Sequence, residues 1–548
     1  RGFLLCVERW GGDDGPDDAI ECLNYWPILH AIGADDDILR MYERAWEGHL
    51  RQYTLARTTD VPFARDGMYY KEFPVMFDWL HHSEGLTVFN LQGLSDPDDR
   101  RFQQRVRRYA GFYIGEDPQA QNYDPQQKII RSLFNGSRGP LLRKATAVDW
   151  AGDPIEVKHR FRLGHGEESY EQMLAHFEEY TDIVGDHPGN MMATALALNA
   201  YMLSHEAKYK DWVLEYVGAW RERMRENGGL IPSNIGLDGK IGGGADGKWY
   251  GGVYGWGFSV RVPQTGALAH RDTFHLGVHG FLNAALLTGD LSLLDPWRKQ
   301  LELVNAQRRE QDGRTVYPHK YGDEGWYHWQ TTPYQGGARE LYYFTGREED
   351  RRWIPDTAWM RYLRGEQPNY PVTALRHDLD RVREQVRRIR VDDTTPDTRL
   401  ADDPMKHNPV SVQALMEQTM GGLYPGKQGL ILHARLRYFD PAARRAGLPP
   451  GVSALVDRMT DRETAVTLVN TDQLQPKTLI VQAGGYGEHQ IESVATGDAA
   501  TPGVEFAVHG DRLTVRMEPG AGQRLRLRTR KYANPPTLRF PWDAQRVK

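Results

Sequence analysis

Met191-Met-Ala-Thr-Ala-Leu-Ala-Leu-Asn-Ala-Tyr-Met202 is followed, after the break Leu203-Ser-His-Glu206, by Trp212-Val-Leu-Glu-Tyr-Val-Gly-Ala-Trp-Arg-Glu-Arg223. The first segment is apolar nearly all round, which suits a helix enclosed on every side, whereas the second keeps one charged face. An inner helix paired with an outer helix follows. The same punctuation returns at Leu29-His-Ala-Ile-Gly-Ala-Asp-Asp-Asp37, at Leu286-Leu-Thr-Gly-Asp290 before Trp297, and at Tyr343-Phe-Thr-Gly-Arg-Glu-Glu-Asp350 before Trp353. Weaker inner helices near Tyr69 to Glu84 and Asn408 to Met420 bring the number to about six, which predicts an (α/α)6-type toroid of helical hairpins. This helical unit is expected over residues 1–421.

Beyond Gly421 the pattern changes to short runs set off by turns: Gly429 to Arg437, Thr464 to Val469, Thr478 to Gln482, Val504 to Val508, Arg512 to Arg516 and Arg524 to Arg528. They read as strands, and their spacing predicts a C-terminal antiparallel β-sandwich over residues 422–548. The segment 136–170 fits neither pattern.

Bulk properties narrow the function classes. A net charge of −6 with interspersed charges argues against a nucleic-acid binder, which needs a broad positive field. No run approaches the ~20 apolar residues of a bilayer span, so no membrane partner is expected. Arg1-Gly-Phe-Leu-Leu-Cys-Val7 is too short for a signal peptide, and location and oligomeric state stay open. Cys6 and Cys22 are too few for a disulfide framework and read as buried thiols.

In a ring of hairpins the loops entering the inner helices gather at one mouth. Those loops are Gly11 to Asp18; Arg65-Asp-Gly-Met-Tyr-Tyr-Lys-Glu72; Gly185-Asp-His-Pro-Gly-Asn190; Asp246-Gly-Lys-Trp-Tyr-Gly-Gly-Val-Tyr-Gly-Trp-Gly-Phe258 with His270-Arg-Asp272; and Tyr321-Gly-Asp-Glu-Gly-Trp-Tyr-His328. The rings of Trp249, Tyr250, Tyr254 and Trp256, set among glycines, suit a saccharide platform with flat apolar faces and polar edges. Arg65, Asp66, Tyr69, Asn135, Arg138, Asn190, Asp323, Glu324 and His328 are the further candidates for substrate contact. Asp17, Asp18 and Asp186 could equally serve as helix caps.

Tyr250-Gly-Gly-Val-Tyr254-Gly255, with Asp246-Gly247 upstream, resembles the Tyr-x-Gly-x-Tyr-Gly element of chondroitin and hyaluronan lyases. Ile183-Val-Gly-Asp-His-Pro188 is similar to the Ile-Gly-x-Pro opening of an inner helix in the same enzymes. The resemblance covers about seventy residues and lacks the family's Asn-Trp-Trp run and the His between Asp-Gly and the tyrosines. It implies a toroid followed by β-sandwich modules and a proton-transfer role for Tyr250.

β-Elimination from a uronate needs a group that neutralises the carboxylate, a base for the C5 proton and an acid for the leaving oxygen. Arg271, or Arg138 with Asn135, could fill the first role, His187 or His270 the second, and Tyr250 or Tyr254 the third. Hydrolysis would instead use two carboxyl groups, drawn from Asp66, Asp186, Asp272, Asp323 and Glu324. A glycan-binding protein without chemistry would keep the aromatics alone. The expected partner in each case is a polysaccharide or oligosaccharide. No cofactor is expected, with a divalent cation left open. His275 and His279 stand at i and i+4, and His81-His82 lie beside Asp78 and Glu84, but neither set completes a metal motif, and both read as buried, satisfied histidines.

Overall fold

The computed structural model describes residues 2–4, 18–57, 65, 67–152, 168–263, 265–395, 408–426, 430–497 and 502–543. Helices dominate up to Met420, and antiparallel strands follow. No described helix is long and apolar enough to cross a membrane.

The hairpin signals map onto real breaks. Helix Thr194–Ser204, buried from Thr194 through Met202, ends where His205 turns left-handed at φ 56°, and Ala207–Glu226 returns along it. Ala207–Glu226 buries Tyr209, Trp212, Val213, Tyr216, Val217 and Trp220 and keeps most of its charges outside, Arg223 being buried with its guanidinium on the Gln127 and Lys128 carbonyls. Each such apolar side chain contributes about 1.5–3 kcal/mol when enclosed. Gly289 and Gly346 end Val278–Thr288 and Ala338–Thr345 in the same left-handed way, and Gly33 ends Trp26–Ile32. Two weaker candidates shrink: Tyr69–Tyr70 pairs with Phe73–Pro74 as a short β-ladder, so the helix runs over Trp79–Gln92, and the last helix is Gln413–Met420.

The apolar helices touch in sequence. Gln413–Met420 packs on Trp26–Ile32, which packs on Trp79–Gln92; this helix meets Thr194–Ser204, which meets Val278–Thr288, which meets Ala338–Thr345. A single buried cluster runs through all six.

Among the described residues, nine C-terminal strands form two antiparallel sheets. One has the order Arg445–Ala446, Leu436–Asp440, Lys477–Ala483, Arg512–Met517; the other has Val452–Met459, Glu463–Asn470, Gly522–Arg530, Gln490–Gly497, Pro502–Gly510. Leu436, Leu479 and Val481 from the first share a buried cluster with Val466, Leu468, Val494 and Leu527 from the second. The strands Val452–Met459 and Gln490–Gly497 add to those expected. Backbone bonds from Leu448 N to Ile32 O at 2.9 Å and from Leu538 N to Met202 O at 3.0 Å tie this part to the helices, and Tyr532 stacks on Phe344 at 4.3 Å.

One expected loop is a sheet. Tyr321 to His328 belongs to the strands Arg314–Gly322 and Gly325–Gln330, whose two-residue turn is Asp323-Glu324. The alternation Val316, Pro318, Lys320 inward carried that signal. Of segment 136–170, Ala147–Ala151 is a short helix, and 153–167 lies outside the described residues.

Candidate functional site

Residues 227–258 link Ala207–Glu226 to the strand pair Ser259–Arg261 and Leu268–His270 through successive turns. The turns are tight enough to need glycine: a Cβ on Gly255 would fall 2.7 Å from Ser233 Oγ, and Gly252, at φ 87°, lies against the His187 ring. On the outer side, Trp249 lies 4.8 Å and Tyr250 5.1 Å from the Tyr321 ring, which meets Trp326 at 4.9 Å. All four rings are half-buried. Asp323 accepts from Lys248 Nζ at 2.7 Å and from the Tyr250 hydroxyl at 2.7 Å, and these bonds hold its carboxyl below the usual range. Trp256 differs: it is fully buried, stacked on Phe274 at 4.0 Å, with its indole N–H on Ile231 O. It belongs to the core and offers no face to a sugar.

On the inner side the loop carries Tyr254 to the start of Trp79–Gln92. Asp78 caps that helix and is fully buried; its Oδ1 accepts from Leu80 N at 2.8 Å, His81 N at 3.1 Å and His81 Nδ1 at 2.9 Å. Its Oδ2 faces the Tyr254 hydroxyl at 3.4 Å. Burial pushes the Asp78 carboxyl up, but the His81 charge and hydrogen bonds outweigh it, and the group stays ionised. Burial, then the Asp78 charge, raises Tyr254 well above the usual phenol range, so it keeps its proton. Tyr254 itself is left-handed at φ 59°, pinned by Thr273 N on its carbonyl at 3.0 Å. Arg271 acts on it as the nearby positive charge, and the buried Arg271 Nε has no acceptor among the described residues.

The chain then runs directly into a second group. Asp272 is ion-paired with Lys320, whose burial brings its pKa down to about 8. His270, bonded to Ser259 Oγ at 2.5 Å, stands 4.5 Å from the ring of His328, and burial lowers both histidines. The structure therefore gathers Tyr254, Arg271, Asp272, His270 and His328 along one strip, with Asp78 and His81 added.

Other expected rim residues are sealed inside. Asp186 is fully buried, and its oxygens take His187 N, Asn190 Nδ2 and Tyr216 Oη, each at 2.9 Å, and Ile130 N at 3.1 Å. Burial still lifts its pKa to about 6. His187 is enclosed beside it, and burial brings its pKa down to about 4. Asn190 and Asn135 hydrogen-bond each other at 3.3 Å and both hold the Ser132 carbonyl, while Tyr113 donates to Asn135. Tyr69 is buried with its hydroxyl on His49 at 2.9 Å. These five shape the scaffold behind the loop: Asp186, Asn190, Asn135 and Tyr69 are hydrogen-bonded to other buried groups, and the His187 ring lies 3.5 Å from Asn234 Nδ2. Arg138 covers the Tyr70 ring at 4.7 Å, Arg65 and Glu324 are exposed, and Asp66 and Gly11 to Asp17 lie outside the described residues.

Asp78 and His81 were grouped in the sequence only as a possible metal cluster. Their cap spacing, Asp followed three residues later by His on one helical face, was the signal that they act as a pair. No three His, Cys, Asp or Glu among the described residues are arranged to hold a metal ion. His275 and His279 instead line a cavity of about 180 Å³ with His433. A cavity of about 660 Å³ by Tyr370, His377, Asp378 and Gln413 contains none of the expected site residues.

No curated protein and no solved structure gives a significant match to this chain. The family DUF8034, a domain of unknown function, matches it over residues 2–356 and 345–416, which takes in every residue of the strip and stops before the nine C-terminal strands. With that extent matched, the chain belongs to the DUF8034 family.

Proposed function

We propose that this protein is a carbohydrate-active enzyme that cleaves a uronate-containing polysaccharide or oligosaccharide by β-elimination. In this reading the successive inner helices close into an α/α toroid, the C-terminal sheets form a bracing sandwich, and the strip around Tyr254 is the floor of the cleft. The observation that carries it is the Asp78 carboxylate, which holds His81 on one oxygen and faces the Tyr254 hydroxyl with the other, beside Arg271.

Each role follows from that geometry. Arg271 pairs with the uronate carboxylate through its guanidinium and so acidifies the C5 proton. In the reacting form Asp78, still ionised, accepts a hydrogen bond from His81 Nδ1–H, which puts the basic lone pair of the neutral imidazole on Nε2, and this nitrogen removes the C5 proton. The C4–O bond breaks as the C4–C5 double bond forms, and Tyr254, which keeps its proton at neutral pH, gives it to the leaving oxygen. Trp249, Tyr250, Tyr321 and Trp326 provide the stacking surface for neighbouring sugars. The lyase resemblance would put the donor at Tyr250, but its hydroxyl is committed to exposed Asp323.

Hydrolysis on the same scaffold is the second reading, and it needs a carboxyl group that retains a proton. Asp186 is held up toward neutrality, but four donors enclose it. Incubation with a panel of uronate-bearing glycans separates the readings. Elimination products absorb in the ultraviolet through the double bond conjugated to the carboxylate; new reducing ends without that absorbance would establish hydrolysis and overturn elimination.

A further inference from the structure

A partly open cavity of about 180 Å³ stands apart from the strip, at the entrance to helices Val278–Thr288 and Ala338–Thr345. His275, His279 and His433 face it, and none of the three makes a hydrogen bond among the described residues. His279 is 4% exposed. His279 is buried and His275 and His433 are half-buried, so their ring nitrogens keep donor and acceptor capacity open to the cavity that a ligand can engage.

The wall defines that partner's chemistry. Burial holds all three histidines neutral, and a neutral imidazole offers one donor and one acceptor, the pattern of a hydroxyl group. Leu276, Leu430 and Ile431 give an apolar surface for C–H faces. Arg339 and Glu340 both line the cavity and pair with each other at 3.4 Å, so the two charges on its wall offset each other and an uncharged ligand leaves the pair intact. The three histidines are not arranged as metal ligands.

We infer that this cavity is a binding site for one uncharged pyranose unit, held by the hydroxyl-matching imidazoles of His275, His279 and His433. The site does not depend on the elimination reading, because none of its residues belongs to the strip. Binding is tested on the full chain with glucose, galactose and mannose, each followed by calorimetry and by the shift in melting temperature, beside glucuronate and zinc chloride. At least one neutral hexose should bind at one site per chain and raise the melting temperature, while glucuronate and zinc do not compete with it. Histidine ring signals in the nuclear magnetic resonance spectrum of the unaltered protein should move on hexose addition. His279→Phe and His433→Phe, each filling the cavity, should weaken binding at least about tenfold, whereas Tyr254→Phe should leave it unchanged even if that variant loses all turnover. No hexose binding to the unaltered protein, undiminished binding in a folded filling variant, or a preference for zinc or glucuronate would overturn the assignment.

Discussion

Two polar groups sit on either side of the glycine-rich loop, and they look alike in sequence. Both Asp78 with His81 and Asp186 with His187 stand where an apolar helix begins. In the Asp186 group four donors from three parts of the chain close on one carboxylate, and His187 is shut in beside it. In the Asp78 group the carboxylate is buried but its partners reach outward: His81 is about a third exposed, and Tyr254 is half-buried. Histidine and aspartate at a helix entrance thus do not by themselves mark chemistry. What separates the two groups is where the last hydrogen bond points.

The sharpest way to break this contrast is to remove one hydroxyl. Tyr254→Phe should lower turnover about 10²-fold or more while leaving the melting temperature nearly unchanged, because the bond to Asp78 is long at 3.4 Å. Full activity in that variant would place the Tyr254 group with that of Asp186. Asp186→Ala should do the reverse, costing about 2–4 kcal/mol in urea unfolding because four donors lose their acceptor. A variant of normal stability and lost turnover would instead make Asp186 a reacting group.

pH dependence sharpens the same contrast. Asp186 has a folded pKa of about 6, above its unfolded value of 3.8, so the native state holds the proton more tightly, and this group's contribution falls as pH rises from about 4 to 6. At about 1.4 kcal/mol per unit, that is about 3 kcal/mol. His187 has a folded pKa of about 4, below its unfolded 6.5, so its contribution rises with pH across about the same window. The two slopes oppose each other. Asp186→Asn removes the first, and its stability should climb more steeply than that of the unaltered protein between pH 4 and pH 6.5; parallel curves would refute the assignment. The smallest effect is expected at the surface: Tyr250→Phe loses only a bond to exposed Asp323, and turnover should change by less than about threefold. A loss as large as that of Tyr254→Phe would return the donor role to Tyr250.

The helical breaks were legible because each is a local event. An apolar run closing at His205, Gly289 or Gly346 shows in a few residues. The strands were less so: Gln490–Gly497 places Glu492 and Ser493 between Ile491 and Val494, and a register shift there disturbs the alternation that a reader counts. Of the candidate residues, Tyr254, Arg271, Asp272, His270 and His328 come together along one strip. Trp256, Tyr69, Asn135, Asn190, Asp186 and His187 turn inward, and nothing in their own neighbourhoods of sequence distinguishes them from the first set.

Sequence by itself determined the alternation of enclosed and one-sided helices, the change to strands after Gly421 and the turns between them, since periodicity and left-handed residues act over a few positions. Only the tertiary structure decided that Tyr254 meets Asp78 across 176 positions and that Asp186 is closed off by Ile130 and Tyr216. The reason is physical: whether a polar side chain is a support or a reagent depends on the donors and acceptors that distant segments bring to it, and on the solvent they leave at its edge.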